Sequence, residues 1–204
     1  MGSGETAPTM MKHHRDLISR LPTGAAAVVL DTPYGFQENA PELAHRTVEY
    51  FRQSVGHPIE IAGLTRFVGG DTLTVEQGLA RLRRADYLFA GPGSPTYALR
   101  QWAGSPVPDI VASKLREGGI VTFASAAALT LGRFTVPVYE IYKVGAEPHW
   151  LDGLDVLSVI DLKVAVIPHF DNAEGGHHDT RFCYLGERRL QMLESELPAR
   201  SEEH

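Results

Sequence analysis

Apolar residues fall in short runs broken by Gly and Pro, and two kinds of run alternate along the chain. Stretches 25–31, 58–64, 86–90, 119–124, 155–160 and 163–167 are compact, rich in Ala and β-branched residues, and too short for buried helices, which predicts strands. Segments 41–54, 75–85, 109–117 and 182–194 space their apolar residues as a helix face does. Leu43, Val48 and Phe51 share one side of the first. Leu79 and Leu82 do so in the second, with Arg81, Arg83 and Arg84 in solvent and Asp71 or Thr74 as the N-cap. No repeat, low-complexity tract or linker interrupts the alternation. The pattern predicts one α/β domain over 1–204, with a mostly parallel central sheet, helices on both faces and right-handed crossovers.

In an open sheet of this kind, ligands bind beyond the carboxyl ends of the strands. Four expected strand ends carry unusual residues: Asp31-Thr32-Pro33-Tyr34-Gly35, Gly91-Pro92-Gly93-Ser94-Pro95-Thr96, Phe123-Ala124-Ser125-Ala126-Ala127-Ala128 and Pro168-His169-Phe170-Asp171-Asn172. If their strands are parallel, these segments line one cleft.

Each segment has a chemical and a plain reading. Ser125, between a strand and an Ala-rich helix start, is placed like the serine of a nucleophile elbow, whose tight turn needs small neighbours. The usual flanking glycines are replaced by Phe123 and Ala127, and on local pattern a Ser N-cap is favoured. His169 ends an apolar run as a general base would, or as a core-edge histidine bonded to backbone. Glu140 is an acid among apolar residues and needs a partner, with a histidine, Arg133 or Lys143 as candidates. Gly91-Pro92-Gly93-Ser94 lets backbone approach a ligand, and its amides, with that of Ala126, are candidate oxyanion donors. It reads equally as a turn capped by Ser94 or Thr96.

Composition removes whole classes of function. The chain carries 19 Lys+Arg against 25 Asp+Glu, a formal charge of −6, so it offers no basic footprint for nucleic acid or anionic lipid. No apolar run approaches a membrane span. Met1-Gly2-Ser3-Gly4-Glu5-Thr6 matches the myristoylation pattern but lacks a polybasic second anchor. The single cysteine, Cys183, excludes an intramolecular disulfide and a Cys-rich zinc site and fits a cytoplasmic location. His169, Asp171, His177, His178 and Asp179 are rich in ligand types without matching a standard metal spacing. Metal binding is therefore a minority reading, Asp179 as a helix cap is another, and no cofactor is expected.

Taken together, Gly2-Ser3-Gly4-Glu5, Gly91-Pro92-Gly93-Ser94, Ser125-Ala126 and Pro168-His169-Phe170 resemble the dipeptidase E and cyanophycinase family of serine peptidases, in an atypical branch. The resemblance implies a flavodoxin-like, class I glutamine amidotransferase-like fold. It also implies hydrolysis of a small peptide or amide by Ser125 as nucleophile, His169 as base and Glu140 as acid. Gly93 and Ala126 would form the oxyanion hole. Gly91, Ser94, Asp31, Arg133 and Asp171 are candidate substrate-binding residues, Arg133 or Lys143 meeting a substrate carboxylate. Family members carry a strand before the first glycine loop, whereas Met1 here directly precedes Gly2. A missing first strand is thus an expectation, as is a homo-oligomer covering the apolar surface it would leave. The alternative is a catalytically inactive module binding a small ligand in the same cleft.

Overall fold

The computed structural model describes residues 1–2, 4–173 and 179–197. Its frame is a parallel sheet of β1 (Ala27–Val29), β2 (Glu60–Ile61), β3 (Tyr87–Ala90) and β4 (Ile120–Phe123), in the order β2-β1-β3-β4. Register sets Leu88 beside Val28 on one side and Val121 on the other. The arrangement is that of an α/β, flavodoxin-like protein.

Period-two alternation divides the strand residues between two apolar layers. Val28, Leu88 and Ala90 face a layer containing Leu79 and Leu82 of α3 (Thr72–Arg84), Ala98 and Trp102 of α4 (Pro95–Trp102), and Ile110 and Val111 of α5 (Val107–Glu117). Ala27, Val29, Tyr87 and Phe89 face the other, with Leu17 and Ile18 of α1 (Met11–Ile18), Val48 of α2 (Ala40–Tyr50), and Phe51 and Val55 in the wide turn that ends α2. Asp71 caps α3, its carboxylate accepting from the Thr74 amide at 2.8 Å. Ser94 caps α4 by accepting from the Tyr97 amide at 3.1 Å.

Beyond β4 come α6 (Ser125–Leu129), a two-stranded antiparallel sheet of β5 (Phe134–Thr135) and β6 (Leu151–Asp152), then α7 (Arg181–Tyr184) and α8 (Gly186–Glu196). A separate cluster of Leu129, Val136, Val138, Ile141, Phe182, Leu185 and Leu193 holds this region together. The Trp150 indole donates to the Leu193 carbonyl at 2.8 Å and ties α8 to it. Among the described residues no helix is long and apolar enough to cross a membrane.

Three expectations are corrected. The run 155–160 forms a 3-10 helix at Val156–Ile160, bracketed by Asp155 and Asp161 at φ 50° and 64°. Val156 and Val159, three apart, pack on the α3–α5 layer, which a strand's alternating faces would prevent. The run 163–167 contributes one parallel bridge, Ala165 to Phe134, with Lys163 and Val164 exposed. The helix expected at 182–194 begins at Gly186, because Phe182, Cys183 and Tyr184 all adopt positive φ. The pattern also missed α1, and α4 was anticipated only through its cap at Ser94 or Thr96.

Gly78 shows how closely α3 approaches the sheet edge. A Cβ there would lie 2.5 Å from Leu64 Cγ and 2.8 Å from the Ala62 carbonyl oxygen. Alanine normally stabilises a helix interior by roughly 0.5–1 kcal/mol over glycine. Here overpacking of about 1–3 kcal/mol outweighs that gain, so Gly78→Ala is expected to lower the midpoint of urea unfolding. An unchanged or higher midpoint would contradict the close approach.

Candidate active site

Three of the four expected strand ends meet at one edge, because β1, β3 and β4 are parallel neighbours. The elbow is anchored to the end of β3. The Ala124 amide donates to the Ala90 carbonyl at 2.9 Å, and the Ala127 amide donates to the Gly91 carbonyl at 3.3 Å. Between them Ser125 turns at φ +49°, after an extended Ala124. A non-glycine residue in left-handed backbone costs roughly 1–2 kcal/mol and persists only where its surroundings over-determine it. Buried small residues on both sides, Ala124, Ala126, Ala127 and Ala128, leave room for the turn. An N-cap takes extended backbone and bonds the next turn. Ser125 instead sits inside α6 and bonds elsewhere.

That bond is to His169, whose Nε2 lies 2.9 Å from Ser125 Oγ. The histidine reaches the serine from a loop instead of a strand end and is itself left-handed, at φ +53°. The Phe182 amide donates to its carbonyl at 2.9 Å, and the Cys183 thiol donates to the Pro168 carbonyl at 3.0 Å. Its ring leans on Tyr184, centroids 6.3 Å apart, and Tyr184 stacks on Tyr142 at 4.9 Å. The left-handed turn at 182–184 thus buttresses the imidazole. Sequence reasoning missed this, because nothing in a Phe-Cys-Tyr triplet announces positive φ.

Glu140 opens the wide turn Glu140–Val144. It lines a recess of about 190 Å³ with Phe36, Ser94, Thr96, Tyr97 and Arg100. Its Oε2 is buried and, among the described residues, has no hydrogen-bond partner; the same holds for Thr96 Oγ1. Thr96 and Arg100, four apart on α4, were not singled out beyond Thr96 as a cap. Their shared helix face was the available signal.

The loop at 91–94 is shaped by close approach. Gly93 has φ +142°, and a Cβ there would lie 2.1 Å from the Pro33 carbonyl oxygen. The Ser94 amide donates to that same carbonyl at 2.8 Å. Asp31 is buried and accepts from the Leu64 amide at 2.8 Å. Burial raises its pKa, partly offset by that amide. Its contacts tie the end of β1 to the chain beyond β2. Arg133 is exposed, its guanidinium over the Phe134 ring at 5.7 Å, beside the small sheet. Asp171 is exposed just after Phe170. Lys143 sits over Tyr142 at 4.7 Å.

His177 and His178 lie outside the described residues. Asp179 accepts from the Arg181 and Glu187 amides, both at 3.1 Å, at the entry to α8. The Arg181 guanidinium holds its carboxyl well below the usual range. These contacts fit the helix-cap reading of Asp179.

Against solved structures, the chain is similar to a peptidase from an acI-B1 actinobacterium, with TM-score 0.71 and 17% identity, covering 94% of this chain and 72% of that one. It is also similar to a Peptidase E candidate from Listeria monocytogenes EGD-e, with TM-score 0.55 and 13% identity over 88% of this chain and 81% of that one. At these identities the likeness shows the fold alone. The sequence matches no family model and no curated protein.

Burial pushes the Cys183 thiol up to about 12. The thiolate fraction at pH 8 is then negligible, so iodoacetamide is expected to leave the native protein unmodified and to alkylate it in denaturant. Rapid native alkylation, read by intact mass, would contradict the buried thiol.

Proposed function

We propose that this protein is a serine hydrolase that cleaves a small peptide or amide. The observation that carries the reading is the Ser125–His169 hydrogen bond of 2.9 Å, made from a serine held at φ +49°. His169 Nε2 takes the hydroxyl proton as Oγ attacks the substrate carbonyl. The protonated imidazole then gives that proton to the departing amine. Water, deprotonated by the same nitrogen, releases the acyl group. The developing oxyanion is assigned to the backbone amides of Gly93 and Ala126, where loss of one donor costs roughly 10²–10³ in rate.

Chain order suggested Glu140 as the acid that orients the imidazole. Its place in the recess with Arg100 and Thr96 favours a role in holding the polar end of the substrate. The peptidases with this fold support amide hydrolysis as the reaction class.

A panel of dipeptides and amino-acid p-nitroanilides tests the proposal. Turnover is expected for at least one small substrate, falling about 10³-fold or more in Ser125→Ala and in His169→Ala. Activity surviving in Ser125→Ala, or no turnover by folded wild-type protein across the panel, would overturn it in favour of another nucleophile or a binding module. Glu140→Gln separates the two roles of the acid. A substrate-holding carboxylate predicts a raised KM with kcat within a few-fold, whereas an orienting acid predicts a kcat loss nearer 10⁴.

A further inference from the structure

A second cavity opens at the sheet edge on the face opposite α3–α5. It holds about 370 Å³ and is lined by Glu5, Tyr34, Leu43, Tyr50, Phe89 and Gly91, among others. Its position follows from topology. From β1 the chain goes outward to β2 and then returns across β1 to β3 and on to β4. The β1/β3 crevice is therefore the switch point, where open α/β sheets bind ligands. Tyr34 follows β1, and Phe89 and Gly91 come from the end of β3, so the cavity sits in that crevice. Its volume lies within the roughly 300–1,000 Å³ of small-molecule sites.

The polar lining is unusual. Glu5 is only 6% exposed, and among the described residues nothing hydrogen-bonds to its carboxylate. A buried carboxylate without a partner is costly. Room for it depends on glycine at 91, since a Cβ there would lie 2.9 Å from Glu5 Oε1. The Tyr34 hydroxyl is buried and without a hydrogen-bond partner among the described residues. Phe89, Tyr50 and Leu43 supply apolar wall. The one cation in the lining, Arg46, is exposed and paired with Glu42 of its own helix, and the Met1 ammonium attracts Glu5 without forming an ion pair with it.

We infer that this cavity is a binding site for a small organic ammonium ion with an aromatic or alkyl body, its charge meeting Glu5 and its body lying on Phe89, Tyr50 and Leu43. Its lining includes neither Ser125 nor His169 and shares Gly91 with the candidate substrate-binding loop.

Tyramine is the probe, with 3-(4-hydroxyphenyl)propionate as an anion of similar shape, and isothermal titration on the full chain is the readout. Tyramine is expected to bind and the anion not to. Glu5→Gln, which keeps the shape and removes the charge, should weaken tyramine binding about tenfold or more, the scale of a charge-assisted hydrogen bond. Leu43→Trp should block it by filling the wall, and keeps the test open if Glu5→Gln does not fold. The inference is overturned if tyramine shows no binding at millimolar concentration, if the anion binds as well, or if binding survives unchanged in a folded variant of either kind. Hydrolytic turnover lost in Ser125→Ala is measured separately, so failure of this site and failure of the proposed activity are distinguishable.

Discussion

Placing a serine in left-handed backbone requires that every competing conformation be closed off, and the end of the parallel sheet does this. The Ala124 amide is fixed to β3 on one side of Ser125 and the Ala127 amide to Gly91 on the other, so the chain must turn within Ser125 and Ala126. The reversal puts Oγ beyond the sheet edge, where His169 meets it. Small side chains are required there for space, and Gly93 is required because its neighbour across the crevice is the Pro33 carbonyl. Four alanines thus answer one geometric demand, and Gly93 answers another.

The imidazole is held by unrelated means. His169 has no strand beneath it; a left-handed turn, a thiol donating to the Pro168 carbonyl and a pair of stacked tyrosines keep the imidazole in place. The serine is rigid because the sheet is rigid, whereas the histidine depends on the apolar cluster that also seats α8. Disturbing that cluster should therefore affect the position of His169 before it affects the sheet.

Much of this was readable in the chain. The strands at 25–31, 86–90 and 119–124 and the helices at 75–85 and 109–117 announced themselves because alternation and helix-face spacing agreed with burial there. The start of α4 was signalled by Ser94 before Pro95, a cap followed by proline in the first turn. The run 155–160 misled because Val156, Leu157, Val159 and Ile160 satisfy strand and helix spacing alike, and only the tertiary surface of α5 decides between them. Ser125 and His169 could be named from motif order, but their separation of 2.9 Å could not. Glu140 was recognised as an acid in need of a partner, while the recess that receives it combines Phe36, Thr96 and Arg100 from distant stretches. Contacts of that kind leave no periodic trace.

Covalent capture of the serine tests the central claim most directly. A biotinylated fluorophosphonate incubated with native protein should add one adduct per chain, mapped by peptide mass spectrometry to Ser125, at a rate that falls steeply in His169→Ala. An adduct elsewhere, or none on a folded protein, would mean that the left-handed serine is a structural turn and not a nucleophile.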